Sequence, residues 1–300
     1  MKRTKYFLML VVAFTVAMCM SVTLVSCGDD DDNLETTPPT TIPKGHSGQT
    51  TDITATVTDE ITLTDGYMVF LSLGRSVKGY HISSLAKENF DKKTEAEIIS
   101  DLKGKGKKEE TDGIQHQYTT GLPSGSARVL CCICYDANGN YGPLLTHNFT
   151  TKPASSVWDA PCQLTATATE WKLNITKQNG CKRYYMLTNT KAEKIAELVN
   201  QPNIILAAHF KKQIADDSSF TPKTEDINST KERSTDETDM FVITWGLNAQ
   251  NEFSGNISRA YANTKTSTAA PAHAPWHSDS CTNDDYDCFY SDHSLPIDCL

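Results

Sequence analysis

The chain repeats itself, and the repeat decides what kind of body it can form. T-E-A-E-I-I-S-D-L from Thr94 aligns with T-K-A-E-K-I-A-E-L from Thr190, and Y-D-A-N-G-N-Y-G from Tyr135 aligns with L-N-A-Q-N-E-F-S from Leu247. In each copy an amphipathic helix precedes a strand that runs into an Asx-rich turn and leaves through an aromatic. The second pair is further apart than the first, so the second copy carries the longer insertion. Two copies of roughly 100 residues mean tandem duplicated domains, not a solenoid of many short stacked units.

Hydrophobic period identifies the elements. Ile53, Ala55 and Val57 alternate with Thr54, Thr56 and Thr58, the period-two pattern of a half-buried strand. The same reading predicts strands over 67–73, 79–83, 114–119, 127–135 and 144–150, then 164–169, 170–176, 181–188, 241–247 and 255–261. Thr94 with Glu97, and Thr190 with Glu193, have the spacing of capping boxes. Residues 103–112 and 216–239 read as loops. Matching the two turns puts Val129, Cys131, Ile133 and Tyr135 in register with Phe241, Ile243, Trp245 and Leu247. That face is large and apolar in both copies and is expected to be the core, with Cys132 and Cys134 facing the other way. The expected fold is mainly β: two tandem β-sandwiches, over 51–153 and 157–265, each with a helical insertion.

The N-terminus predicts an address. Lys2, Arg3 and Lys5 lead into an apolar run that ends Leu24-Val25-Ser26-Cys27, and Gly28 and Asp29, Asp30, Asp31 and Asp32 follow. A basic start, an apolar stretch and a small residue before the cut are the build of an export signal over 1–26. An uncleaved anchor is the alternative, since the run is about long enough to span a bilayer. The final L-V-S-C and the lack of a positive cluster after it favour cleavage. Residues 27–50, rich in Asp, Thr, Pro and Gly, read as a flexible acidic tether. The formal charge of −9 grows more negative once the basic start is removed. An acidic surface repels phosphate backbones, so nucleic acid is not an expected partner.

Three resemblances follow. The sequence ending at Cys27 resembles the lipobox of bacterial lipoproteins, which implies a lipid, palmitate among its acyl chains, on that cysteine. The four aspartates resemble the surface-export signal of lipoproteins from Bacteroides-like bacteria, which implies an outer-membrane protein facing the cell exterior. The T-G-L-P-S-G turn from Thr120, the aspartate-led turn at Asp136 and the closing F-T-T-K from Phe149 resemble fibronectin type III or immunoglobulin-like modules. These imply binding or adhesion without catalysis.

Candidate chemistry is sparse. Asp136, Asn138 and Asn140 alternate as calcium ligands do, but no bidentate carboxylate follows over 143–147, so a plain turn is the reading. Cys162 and Cys181 flank two predicted strands, and export permits a disulfide between them. Trp158, Tyr184 and Tyr141 are candidate ligand contacts, because exposed aromatics stack on apolar sugar faces. His273, His277, Cys281, Cys288, His293 and Cys299 have ligand types suited to zinc but not the spacing of a closed site. The tail from 266 to 300 is acidic, lacks Lys and Arg, and is expected to be disordered, with a Cys281–Cys288 loop a further possibility. No G-x-S-x-G, H-E-x-x-H or phosphate loop is present, so neither an enzyme nor a cofactor is expected. The partners expected are a membrane, through the lipid, and a glycan or another surface protein. The alternatives are a glycan-binding accessory lipoprotein of a polysaccharide-uptake system and a hydrolase with an unrecognised site.

Overall fold

The computed structural model describes residues 52–110, 115–234, 238–264 and 286–291. Cys27, the aspartates Asp29 to Asp32 and most of the tail lie outside the described residues. Among the described residues no helix is long and apolar enough to cross a membrane.

The first module has strands β1 (Ala55–Thr62), β2 (Gly66–Leu73), β3 (Gly79–Ala86), β4 (Lys107–Glu110), β5 (Gln115–Thr120), β6 (Ala127–Tyr135) and β7 (Tyr141–Thr150). They make two antiparallel sheets, β1-β2-β5 and β4-β3-β6-β7. The second module has β8 (Cys162–Ala166), β9 (Glu170–Ile175), β10 (Arg183–Asn189), β11 (Ile227–Glu232), β12 (Asp239–Leu247) and β13 (Ser258–Asn263), in sheets β8-β9-β11 and β10-β12-β13. The chain changes sheets at the same points in both, so β6 and β12 are equivalent central strands. Helices α1 (Lys87–Phe90) and α2 (Glu95–Lys105) follow β3; α3 (Ala192–Leu198) and α4 (Asn203–Asp216) follow β10.

Two segments expected as loops contain strands. β4 reads K-K-E-E and pairs with β3, and β11 reads I-N-S-T-K-E and pairs with β9. Both lie at sheet edges, where charged side chains deter further pairing and leave no apolar alternation to read. The capping box at Thr94 is made: its Oγ1 accepts from Glu97 N, and Glu97 Oε2 accepts from Thr94 N. The one expected at Thr190 is not. β10 continues to Asn189, Lys191 takes the cap position, and Asn189 Oδ1 accepts from Lys191 N at 2.9 Å.

The repeat places equivalent residues on equivalent faces, but the expected core face is corrected. Leu130, Cys132 and Cys134 point between the sheets, among Tyr67, Val69, Leu71, Tyr80 and Ile82. Val129, Cys131 and Ile133 point outward and are covered by Ile98 and Leu102 of α2. In the second module Met240 and Val242 face the sandwich interior with Trp171, Leu173 and Ile175, while Phe241, Ile243 and Trp245 pack against α4. The larger face lies under the helix because the helical insertion shields it. The space between the sheets takes the smaller Cys and Val side chains.

The two sandwiches share a core. On α4, Ile204 to Ala208 and Phe210 are buried, each large side chain contributing about 1.5–3 kcal/mol. They lie in one cluster with Phe241, Ile243 and Trp245 of β12 and with Ile61, Leu63, Met68 and Tyr118 of the first module. Lys211 on α4 donates to Asp59 Oδ1 at 3.1 Å and to Glu60 O at 3.0 Å. Thr64 N donates to Gly255 O at 2.9 Å. The described residues of both modules accordingly belong to one compact unit. The long second insertion, read from sequence as a feature of one module, joins both.

The tail is ordered where it is described. β14 (Tyr286–Asp287) pairs with β3, and β15 (Tyr290–Ser291) pairs with β5. The expectation of disorder fails for these residues because Tyr286 and Phe289 bury their rings against the first module.

Candidate functional site

The two Asx turns stand at the same place in each module. Asp136 Oδ1 accepts from Asn138 N at 2.9 Å and Asn140 N at 2.8 Å, and Asp136 Oδ2 accepts from Asn140 Nδ2 at 3.0 Å. These bonds, the Asn140 side-chain bond foremost, hold the Asp136 carboxyl below the usual range. The oxygens that alternate like calcium ligands are thus engaged within the turn. Gly139 has φ +80° and Asn251, its equivalent, φ +66°, a left-handed position that Gly and Asn tolerate.

Tyr141 leaves the first turn at the start of β7. At 40 % exposure it is the exposed large hydrophobic side chain among the described residues. Lys103 Nζ lies 3.7 Å from its ring centroid, a cation–π contact. The rings of His81 and Tyr135 lie 6.1 and 5.9 Å away. His81 is buried, its Nε2 is 3.5 Å from Tyr141 Oη, and its Nδ1 has no partner. Burial, then Lys108 and Lys103, lowers its pKa, so the imidazole is neutral. The result is a tyrosine platform flanked by lysines, with a neutral ring beneath it. It offers stacking and hydrogen bonding but no acid–base pair.

The other two aromatic candidates lie elsewhere and share no partner with Tyr141. Trp158 is half-buried at the junction of the modules. Its Nε1 donates to Glu252 O at 2.9 Å, and Lys152 Nζ lies 6.0 Å from its ring. The chain here passes so close to β12 that a Cβ at Gly246 would fall 2.1 Å from Trp158 O. Tyr184 is fully buried, donates to Glu225 O at 3.0 Å, and is pushed up to about 12 by burial, with Asp226 and Cys181 adding to the shift. It packs the core of the second module, which corrects its reading as a ligand contact.

Cys162 and Cys181 are separate buried thiols, so the disulfide considered between them is not made. Cys162 Sγ is directed at Val242 O across the sandwich, and Cys181 Sγ, just before β10, at Arg183 O two residues on. Cys131, Cys132 and Cys134 are also free and buried. Cys131 and Cys134, three apart on one strand, face opposite sides of the sheet. Burial pushes Cys131 and Cys162 up to about 12. Such thiols stay protonated at neutral pH and are poor nucleophiles. Cys288 is disulfide-bonded.

A cleft of about 270 Å³ opens between the first module's helices and β7, lined by Phe90, Lys93, Glu95, Ile98, Leu144 and Thr146. It contains a single carboxylate, whereas glycoside hydrolysis of the usual kind needs two. Among the described residues no group of three or more His, Cys, Asp or Glu could hold a metal.

No protein-family model matches the chain, and no curated protein does. Among solved structures it is similar to the fibronectin(III)-like modules of Clostridium thermocellum CbhA, at 9 % identity over 75 % of this chain and 100 % of that one, with a TM-score of 0.25. A two-domain fibronectin type III segment of chicken tenascin matches at 11 % identity over 70 % and 98 %, with a TM-score of 0.22. The central fibronectin-III array of RIM-binding protein matches at 10 % identity over 70 % and 67 %, with a TM-score of 0.22. The strand order itself carries the fold: a three-stranded sheet facing a sheet that holds the third, sixth and seventh strands in the first module, and the same plan in the second. The chain is a tandem pair of antiparallel β-sandwiches of the same strand plan, fused through the helical insertion of the second.

Proposed function

We propose that this is a lipid-anchored cell-surface protein that presents a rigid two-sandwich body for binding, without catalysis. The observation that carries the reading is the join between a lipid-attachment sequence ending at Cys27 and a β-sandwich body that begins just after Asp52. The lipid holds the chain at the outer membrane through more than one acyl chain, as stable anchoring requires. The acidic stretch around Asp29 to Asp32 directs it outward, and residues 27–50 hold the body clear of the headgroups. Because α4 cements the sandwiches, the body projects as one piece. The thiols of Cys131 and Cys162, held protonated by burial, and the single carboxylate of the cleft beside the first module's helices support a binding role over a hydrolytic one.

The second reading, a glycan-binding accessory protein, is favoured by Tyr141. An exposed ring beside a lysine suits a sugar face and its hydroxyls. Protease shaving of intact cells tests the address. The wild-type body should be degraded from outside, and a variant with Asp29 to Asp32 replaced by Asn should be protected while still lipidated. A wild-type protein that resists shaving would exclude surface display. Crosslinking on intact cells then identifies what the body holds.

A further inference from the structure

The segment Tyr286–Ser291 is held by the first module as a ligand is held. Its backbone adds to both sheets, at Ser84 and Leu85 of β3 and at Gln117 and Tyr118 of β5. Between these contacts Phe289, 3 % exposed, enters the space between the sheets. Tyr286 lies against α2 and donates to Asp101 Oδ2 at 2.8 Å. The carboxylate of Asp287 receives Arg128 through Nε at 2.7 Å and Nη2 at 2.5 Å, and also Ser84 Oγ. Asp287 O accepts from Ser83 Oγ at 2.7 Å.

Arg128 is the telling residue. It sits on central strand β6 with its side chain 8 % exposed, and its other contact is a 3.5 Å approach to Ser126 Oγ. A buried guanidinium without a carboxylate is strongly unfavourable. The first module is therefore built around an anion that its own residues do not supply. It also has two sheet edges and an aromatic pocket that only an added strand fills. These are the parts of a strand-addition site: backbone pairing for affinity, with side-chain pockets and a charge for specificity.

We propose that the first module contains a strand-acceptor site for an extended peptide with an aspartate followed two places on by an aromatic, and that the occupant exchanged into it is the Tyr286–Ser291 segment of a second copy of this chain. A second copy carries the identical segment, so exchange reproduces every contact and changes only how the strand is tethered. The segment is joined to the second module through residues 265–285, after β13 has ended at Asn263. Cys288 is disulfide-bonded, so the test is run under reducing conditions.

Two full-length variants each lose one half of the site: Arg128→Ala impairs the acceptor, and Asp287→Ala with Phe289→Ala impairs the strand. Neither should self-associate. Mixed, the intact strand of the first should enter the intact acceptor of the second, so that tagged Arg128→Ala retains the untagged partner. If both variants are folded by circular dichroism and stay apart when mixed, the exchange is overturned. An independent measurement uses a fluorescent Tyr286–Ser291 peptide with Cys288→Ser. It should bind the Asp287→Ala, Phe289→Ala chain saturably and bind wild type, whose site is open in less than about a tenth of molecules, at least about tenfold more weakly. The lack of saturable binding to that chain would overturn the acceptor site itself, whatever the folding of Arg128→Ala.

Discussion

Asp136 and Asn248 close the same turn with the same atom. Asn248 Oδ1 accepts from Gln250 N and Glu252 N, each at 2.9 Å, as Asp136 Oδ1 accepts from Asn138 N and Asn140 N. Each backbone N–H then donates across the turn, Asp136 to Asn140 O and Asn248 to Glu252 O. One copy uses a charged acceptor and the other a neutral one. The turn therefore depends on the Oδ1 acceptor, and the charge adds a pH dependence to the first module alone.

That difference is measurable. The Asp136 pKa is depressed in the folded chain, so its contribution is present above the unfolded value and is lost as pH falls through the folded one. Thermal melts across the acid range should show wild type losing stability more steeply than Asp136→Asn, which keeps the acceptor and loses the charge. Asp136→Ala should melt lower than Asp136→Asn at neutral pH.

The shared core has a mechanical consequence. Phe210 on α4 is fully buried, its ring 6.0 Å from that of Trp245. Phe210→Ala should cost about 3–5 kcal/mol. Urea titration of wild type followed by Trp fluorescence and by circular dichroism should give one coincident transition, and the variant a lower midpoint.

The free thiols should be silent in the folded protein. Iodoacetamide at neutral pH followed by mass spectrometry should leave Cys131, Cys132, Cys134, Cys162 and Cys181 unmodified in the native chain and label all five in denaturant. Burial blocks access to all five and holds the Cys131 and Cys162 thiols protonated, whereas the hydrogen bond with Cys132 lowers the Cys134 pKa, so lack of access alone protects Cys134.

Tyr141→Ala separates recognition from stability. The ring is exposed, so its loss should change stability by no more than about 0.5 kcal/mol. If the glycan reading holds, retention in polysaccharide affinity gels should fall with Tyr141→Ala, while Tyr184→Ala should lose stability because that ring packs the core.

Much of this fold was legible because β6, β9 and β12 carry strong strand patterns and both turns carry their Asx residues. What escaped had physical reasons. β4 and β11 are charged edge strands with no apolar face. β6 and β12 are buried on both sides, so alternation could not say which side faces the other sheet, and the bulkier side proved to lie under the helical insertions. Cys162 and Cys181 look paired only while their strands are imagined as one hairpin; β8 and β10 belong to different sheets. Tyr286 and Phe289 were hidden in an acidic stretch because their burial depends on edges and a guanidinium more than 150 residues away in sequence. Tyr141 was legible as an aromatic beside a turn, but its lysine and histidine neighbours come from α2 and β3.

The display reading turns most directly on the mass of the N-terminal peptide of the protein recovered from membranes. A peptide that begins at Cys27 and carries a diacylglyceryl group on sulfur with an acyl chain on its amine is the expected result. A peptide that begins upstream of Cys27, or an unmodified Cys27, would contradict it.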